Sequence, residues 1–239
     1  MSERPDPPTA LRQRRGCEWD DFGNAFGIVM VRAPARAVAD ELAANCNGRV
    51  EKVDPLHRPQ EHPDLSGVVF RHAGHDWAVF ASGGGHDDEV AAHLSKALKT
   101  RALCLQHEDT GGWTEFRAYD GGVNVETYTY GPDYEDEIAT IAEEMGEEIG
   151  DEGPAILPSD AGVPWDHQVK NEGNDFRFRS TLRKVSPAAV QDEKKMLDDA
   201  VKALGAWLPG WAHFPWADPT EHPDQPESEF AEAFAVRRT

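Results

Sequence analysis

Short apolar runs and helical stripes alternate over the first part of the chain. The run over 26–32 is almost continuously apolar, which indicates a buried strand. Pro34 suits the first turn of a helix, and Asn47-Gly48 suits its end. An apolar residue then recurs at every fourth position of that helix: Val38, Leu42 and Cys46. We expect a second strand over 49–53.

Turn signals dominate the middle of the chain. Apolar runs flank Ala73-Gly74, and two further runs flank Asp120-Gly121-Gly122, so two hairpins are expected. Between them, either Asp87 or Asp88 is expected to cap a helix. A strand over 102–105 follows that helix. The predicted buried stripe of the helix consists of Val90, Leu94, Ala97 and Leu98.

The chain after residue 132 contains one predicted strand and two predicted helices. Phenylalanine and arginine alternate from 176 to 179, which favours a strand over 176–185. Ser186-Pro187 then begins a helix, and its stripe consists of Val190, Leu197, Val201, Leu204 and Leu208. Within 133–152 a second helical stripe consists of Ile138, Ile141, Met145 and Ile149.

This order of elements predicts an α+β fold with a mixed, mostly antiparallel sheet and about four helices. The stretches 26–53 and 76–106 share the order strand, helix, strand, so a duplicated β-α-β unit is one interpretation. We expect residues 1–16 to form a flexible arm and 17–208 to form a single domain. We expect 209–239 to be a Pro/Trp-rich strap and an acidic tail.

The segment 133–152 carries ten carboxylates and no lysine or arginine. Glu143 and Glu147, like Glu144 and Glu148, are four residues apart, and each such pair destabilises a helix by ~0.2–0.5 kcal/mol. The outer face of the helix therefore serves something other than helix stability. The alternatives are plain solubility, a salty cytoplasm that screens the repulsion, and a basic partner.

Composition narrows the class of partner and the compartment. The formal net charge is −20, and nucleic acids and anionic membranes require a positive surface, so neither is expected as a partner. Cys17, Cys46 and Cys104 form no disulfide framework and favour a reducing compartment. With no apolar signal segment and no run of about 18 apolar residues, we expect a cytoplasmic protein.

Residues that might bind a metal or a phosphate are present without the patterns that usually accompany them. His72, His75 and His86 lie near one edge of the predicted sheet, and imidazoles bind zinc. However, His72 and His75 are three residues apart, which places them on opposite faces if the strands extend that far. The glycine run after Ser82 lacks the lysine of a phosphate loop. We expect no metal and no cofactor.

The sequence signals for a catalytic site are equally weak. Cys104 and His107 are three apart in a strand, so they would form a nucleophile–base pair only if the strand broke between them. Glu115 and Glu126 offer carboxylates near the sheet, but no spacing fixes a partner for acid–base chemistry. The sequence therefore predicts no catalytic residue.

Four segments of the central block form one pattern: His75-Asp76-Trp77-Ala78-Val79-Phe80, Leu94-Ser95-Lys96-Ala97-Leu98, Glu108-Asp109-Thr110 and Asp120-Gly121-Gly122. This pattern resembles one in bacterial proteins of unknown function. The resemblance covers residues 67–130 and implies a compact bacterial α+β domain, without implying any functional residue.

The leading functional hypothesis is an acidic binding protein without catalysis, such as an immunity or inhibitor protein for a basic partner. One alternative is a hydrolase-like enzyme with a His/carboxylate site assembled from distant segments. Another is a housekeeping protein of a halophile. The predicted partner-binding residues combine the acidic helix with aromatic anchors: Glu143, Glu144, Glu147, Glu148, Trp211 and Trp216.

Overall fold

The computed structural model describes nine stretches of the chain: 14–17, 25–53, 65–82, 87–108, 113–131, 166–171, 174–184, 193–209 and 230–239. Three helices lie in them: α1 (Ala35–Asn45), α2 (Asp87–Ala97) and α3 (Glu193–Ala203). The strands are β1 (Gly16–Cys17), β2 (Ala25–Val31), β3 (Gly48–Lys52), β4 (Leu65–His72), β5 (Ala78–Ser82), β6 (Arg101–Glu108), β7 (Trp113–Asp120), β8 (Val123–Gly131), β9 (His167–Asn171), β10 (Asn174–Ser180), β11 (Trp207–Leu208) and β12 (Phe230–Arg238).

Ten of these strands form one sheet in the order β3-β12-β4-β5-β2-β6-β7-β8-β10-β9. Every neighbouring pair in this sheet is antiparallel, while β1 and β11 form a separate parallel pair. The α+β prediction is confirmed, and the large sheet is antiparallel throughout its described strands rather than mixed. Of the four predicted helices, the one over 133–152 lies outside the described residues.

Helices cover both faces of the sheet. Side chains of a strand point alternately to the two faces, so the strands supply apolar residues to a core on each face. On one face, called the α1/α2 face, helices α1 and α2 pack on apolar strand residues such as Val29, Val69 and Phe234. On the other, called the α3 face, Met196 and Leu197 of α3 share a core with strand residues. Those strand residues include Ile28, Met30, Phe70, Phe116, Tyr128, Phe176 and Phe178.

Two helices cross between parallel strands on the same face. Helix α1 connects β2 to β3, and α2 connects β5 to β6. Because β2 and β5 run antiparallel and the two connections move towards opposite edges of the sheet, both crossovers have the same hand. Whether 26–53 and 76–106 arose by duplication stays a prediction.

Two turns lie next to the end of α2, and the sequence predicts the one between β7 and β8. Gly121 and Gly122 have φ values of +59° and +86°, which gives the tight two-residue hairpin expected between β7 and β8. At the end of α2, Lys99 has φ +50° and the amide of Thr100 donates to the carbonyl of Ser95 at 3.0 Å. The hydroxyl of buried Ser95 accepts the amide of Gly122 at 3.0 Å, which ties α2 to the hairpin.

The C-terminal prediction needs a correction. Residues 230–238 form β12, which lies between β3 and β4 inside the sheet, rather than an acidic tail. The residues Ala233 and Phe234 face opposite cores, so β12 is buried on both sides. At the other end, Gly16 belongs to β1, while residues 1–13 lie outside the described stretches.

The described helices are short. Each of the three has 11 residues, and none has the length and apolar character needed to cross a bilayer.

Candidate functional site

A layer of buried polar groups lies between the start of α2 and the sheet. Asp87, the first residue of α2, is 1% exposed, although carboxylates are rarely buried to this extent. A methyl group on Gly27 of β2 would lie 2.7 Å from Asp87 Oδ2, so the glycine leaves the space that the carboxylate occupies. The start of α2 also favours the negative charge of Asp87, because the N-terminal end of a helix carries the positive end of its dipole.

An ion pair on β7 extends this layer. Arg117 Nε donates to Glu115 Oε1, and both side chains are almost fully buried. They point to the same side because they are two residues apart in a strand. The sheet register places Arg117 beside Cys104 of β6 and Thr127 of β8, so all three lie on the α1/α2 face.

The surroundings of this layer hold two titratable groups in their protonated form. Burial raises the pKa of the Cys104 thiol well above its ordinary value, and the nearby charges of Asp87 and Glu115 raise it further. Burial also raises the pKa of Tyr119 to about 12. Since the thiolate is the reactive form of cysteine, Cys104 is not prepared as a nucleophile at neutral pH.

The raised pKa of Tyr119 predicts a loss of stability in alkali. The unfolded chain releases this proton near pH 10, whereas the folded chain retains it to about pH 12. Stability is therefore fully present below pH 10 and falls above it, by about 1 kcal/mol per pH unit from this group. Urea unfolding of the Tyr119→Phe variant and the parent at about pH 9, 10 and 11 measures the difference. Equal slopes for the two proteins would contradict the prediction.

Glu126 lies on the opposite face of the sheet from Glu115. It accepts hydrogen bonds from Arg183 Nε at 2.9 Å and Nη2 at 2.6 Å, and from Ser180 Oγ at 2.9 Å. Arg183 Nη2 also donates to the carbonyl of Met196 on α3 at 3.3 Å. The two candidate carboxylates are therefore not brought together, and Glu126 instead links β8 to the chain around α3.

The two histidines of the β4–β5 hairpin share one neighbour. Trp207 of β11 packs against His72 at 4.8 Å and against His75 at 4.9 Å between ring centroids. The strand does not extend as far as His75, because β4 ends at His72, so the condition for opposite faces is not met and the turn redirects His75. The Arg14 guanidinium lies 4.9 Å from the Trp207 ring centroid. His86 is outside the described residues, within which no group of His, Cys, Asp and Glu is arranged to hold a metal ion.

Cys104 and His107, both on β6, point to opposite faces of the sheet. Cys104 packs in the core of the α1/α2 face, whereas His107 follows the register of Ile28 and Met30 on the α3 face. His107 Nδ1 lies 2.9 Å from Thr114 Oγ1. The strand does not break between them, so they form no nucleophile–base pair.

A cationic area lies on the α1/α2 face beyond α2. We call it the arginine face: Arg117 of β7, Thr127 and Thr129 of β8, and Arg177 and Arg179 of β10, which the antiparallel registers place on one side of the sheet. Arg179 Nη2 lies 3.4 Å from Asn124 Oδ1 and 3.5 Å from Thr127 Oγ1. The alternation of phenylalanine and arginine along 176–179 indicated a basic side for this strand, but only the sheet register shows Arg117 two strands away.

The predicted partner-binding residues lie outside the described residues. Residues 132–165 include Glu143, Glu144, Glu147 and Glu148, and residues 210–229 include Trp211 and Trp216. Their role stays a prediction.

No known protein family, curated protein or solved structure matches this chain. The resemblance over residues 67–130 therefore stays a prediction as well, and function has to be argued from the chain itself.

Proposed function

We propose that this chain is a non-catalytic acidic protein that binds a basic protein, as an immunity protein or inhibitor binds a basic toxin or nuclease. The observation that carries the proposal is the formal net charge of −20 together with its distribution. Ten carboxylates within 133–152 account for half of that net charge, without one lysine or arginine among them. Such a concentration steers a cationic protein towards this segment.

The described stretches carry 21 lysines and arginines and 17 carboxylates, so the negative excess of the chain lies in the segments outside them. Several exposed cations are already paired with carboxylates of the same chain: Arg36 with Asp40, Arg101 with Asp120, Lys195 with Asp199, and Lys202 with Asp198. Pairs of this kind contribute little stability but neutralise the cations. In this proposal the partner is therefore attracted by the carboxylates outside the described stretches, above all those of 133–152.

Aromatic anchors complete the proposed binding surface. Trp211 and Trp216 lie in a segment rich in proline and tryptophan, and tryptophan is enriched among the residues that dominate binding energy. In this proposal the carboxylates set the rate of encounter and the tryptophans slow dissociation.

Capture from the native cell lysate at about 0.15 M salt tests the proposal, since ionic attraction is still effective at that ionic strength. The immobilised full chain is expected to retain a basic protein that binds the purified chain directly. A variant with Glu143, Glu144, Glu147 and Glu148 changed to glutamine is expected to lose it. Recovery of no basic protein would overturn the proposal.

A matched control separates the acidic segment from net charge in general. Four exposed carboxylates elsewhere, Asp40, Glu51, Asp76 and Glu89, are changed to their amides in the control, which gives the same change in charge. We expect the control to retain the captured protein.

Association kinetics with the captured protein give a second expected result. Reversal of Glu143, Glu144, Glu147 and Glu148 to lysine is expected to slow association by about tenfold or more at low salt. The effect should shrink towards high salt because screening weakens steering. An unchanged association rate in stopped-flow or surface-binding measurements would show that the segment does not steer docking.

A further inference from the structure

The two helices of the α1/α2 face match each other residue by residue. Both have 11 residues, and a constant offset of 52 in residue number superimposes Ala35–Asn45 on Asp87–Ala97. Every buried residue of α2 then coincides with a buried residue of α1. Four positions in these helices and the strands that follow them share the residue type: Val38 and Val90, Ala39 and Ala91, Leu42 and Leu94, Arg49 and Arg101.

The backbone after each helix turns in the same way at the same place. With the offset of 52, Asn47 coincides with Lys99, and the two have φ values of +52° and +50°. They are the only non-glycine residues of the described stretches with a positive φ, a conformation that is uncommon for side chains other than Asn and Asp. Each donates its amide three residues back, to the carbonyl of Ala44 at 3.5 Å and to that of Lys96 at 3.3 Å.

The strands beneath the helices are arranged symmetrically about the boundary between β4 and β5. The helices lead into β3 and β6, which are the third strands on either side of this boundary and run antiparallel to each other. They start over β12 and β2, the second strands on either side: the amide of Ala35 donates to Glu232 of β12 at 3.1 Å, and Asp87 lies against Gly27 of β2. A twofold axis perpendicular to the sheet produces this arrangement.

Glu41 and His93 meet where such an axis would pass between the helices. Each is the seventh residue of its helix, and His93 Nε2 lies 2.9 Å from Glu41 Oε1. Since α1 and α2 run antiparallel, residues at equivalent positions contact each other only near the axis, as in the interface of a symmetric dimer. A symmetric dimer would bring two copies of one residue together there, whereas here a carboxylate meets an imidazole.

We propose that residues 35–53 and 87–105 are two copies of one helix–strand unit, and that α1 and α2 pack together as the helices of a homodimer do. In this proposal Glu41 and His93 form the polar contact that joins the copies at their axis. The preceding strands are not part of the copied unit, because β2 and β5 occupy places in the sheet that the axis does not relate. The inference does not depend on the proposed function, since no partner enters it.

A swap of the two axis residues tests whether their positions are equivalent. His93→Glu alone brings two carboxylates together and is expected to raise the equilibrium constant for unfolding by about fivefold. Addition of Glu41→His rebuilds the pair in the opposite direction, which a twofold axis makes equivalent to the first. The swapped protein is therefore expected to return to within about twofold of the parent. Urea unfolding of the full chain at neutral pH and low salt measures these constants.

The matched control for the swap is Ala44→His. Ala44 is exposed on α1, about one turn from Glu41, so an imidazole at this position lies away from the axis. Combined with His93→Glu, it is expected to restore nothing. A swapped protein no more stable than His93→Glu alone, or equal rescue by Ala44→His, would overturn the proposal.

A helix graft extends the test to the whole copied helix. Replacement of residues 36–47 by the sequence of 88–99 keeps the apolar positions in place, so the protein is expected to keep one cooperative unfolding transition. The same grafted sequence moved by one position turns the apolar stripe by about 100° and is expected to abolish that transition. Loss of the transition in both grafts, or its survival in both, would contradict the equivalence of α1 and α2.

Discussion

Replacement of Glu126 by leucine is expected to lower the free energy of unfolding by about 3 kcal/mol. Glu126 is 1% exposed and receives two hydrogen bonds from Arg183, so its removal leaves a guanidinium without its counterion. The lower end of the usual range of about 3–5 kcal/mol applies, because the Arg183 side chain keeps 17% of its surface exposed. Urea unfolding at neutral pH measures the loss.

Two further variants test whether the loss comes from leaving the Arg183 charge unpaired. The double variant Glu126→Leu/Arg183→Met is expected to recover most of the loss, because replacing a buried ion pair by apolar groups is often close to neutral. Glu41→Gln removes the partner of His93 in a more exposed pair and is expected to cost less than about 1 kcal/mol. A single Glu126→Leu variant as stable as the parent would contradict the structural role of this pair.

Trp207→Ala is expected to destabilise the protein by about 3–5 kcal/mol, since it leaves a large cavity. The indole is 2% exposed and fills the space between His72 and His75. The same residue begins β11, which pairs with β1. We therefore expect faster hydrogen exchange at Gly16, whose amide donates to the carbonyl of Ala206 at 3.1 Å.

The control for this second prediction is Trp207→Phe. A phenylalanine keeps an aromatic ring against both histidines and is expected to lose clearly less stability than alanine. Thermal or urea unfolding of the two variants gives the comparison. Equal losses, or an alanine variant within about 1 kcal/mol of the parent, would show that the ring does not support the β4–β5 hairpin.

Local signals predicted the elements whose pattern is complete within a few residues. The stripe Val90, Leu94, Leu98 predicted α2, and Asp120-Gly121-Gly122 predicted the β7–β8 hairpin, because helix periodicity and left-handed glycines act locally. Strand β12 was not predicted, since it forms only by pairing with β3 and β4, far away in sequence. The sequence likewise indicates only a capping role for Asp87, because Gly27, which leaves space for its carboxylate, is distant in sequence.

The pairing of β7 with β8 contains one extra residue on β8, and the sequence does not predict the change of register that this residue causes. The Gly121-Gly122 turn alone would place Glu126 opposite Arg117, on the same face as Glu115. In the structure, a register shift between Ala118 and Tyr119 pairs Ala118 with Glu126 and turns Glu126 to the α3 face.

The sequence by itself determined the three described helices, the strands from β2 to β8 with β10, the two hairpins and the strongly negative charge of this protein, because each follows from neighbouring residues or from composition. Tertiary structure decided which polar groups meet. The shifted register buries Tyr128 beside Phe116 and Phe176 on the α3 face, and it brings Thr127 between Arg117 and Arg179 on the other. A side chain changes face with each residue of register, so only the packing of both cores could fix that choice.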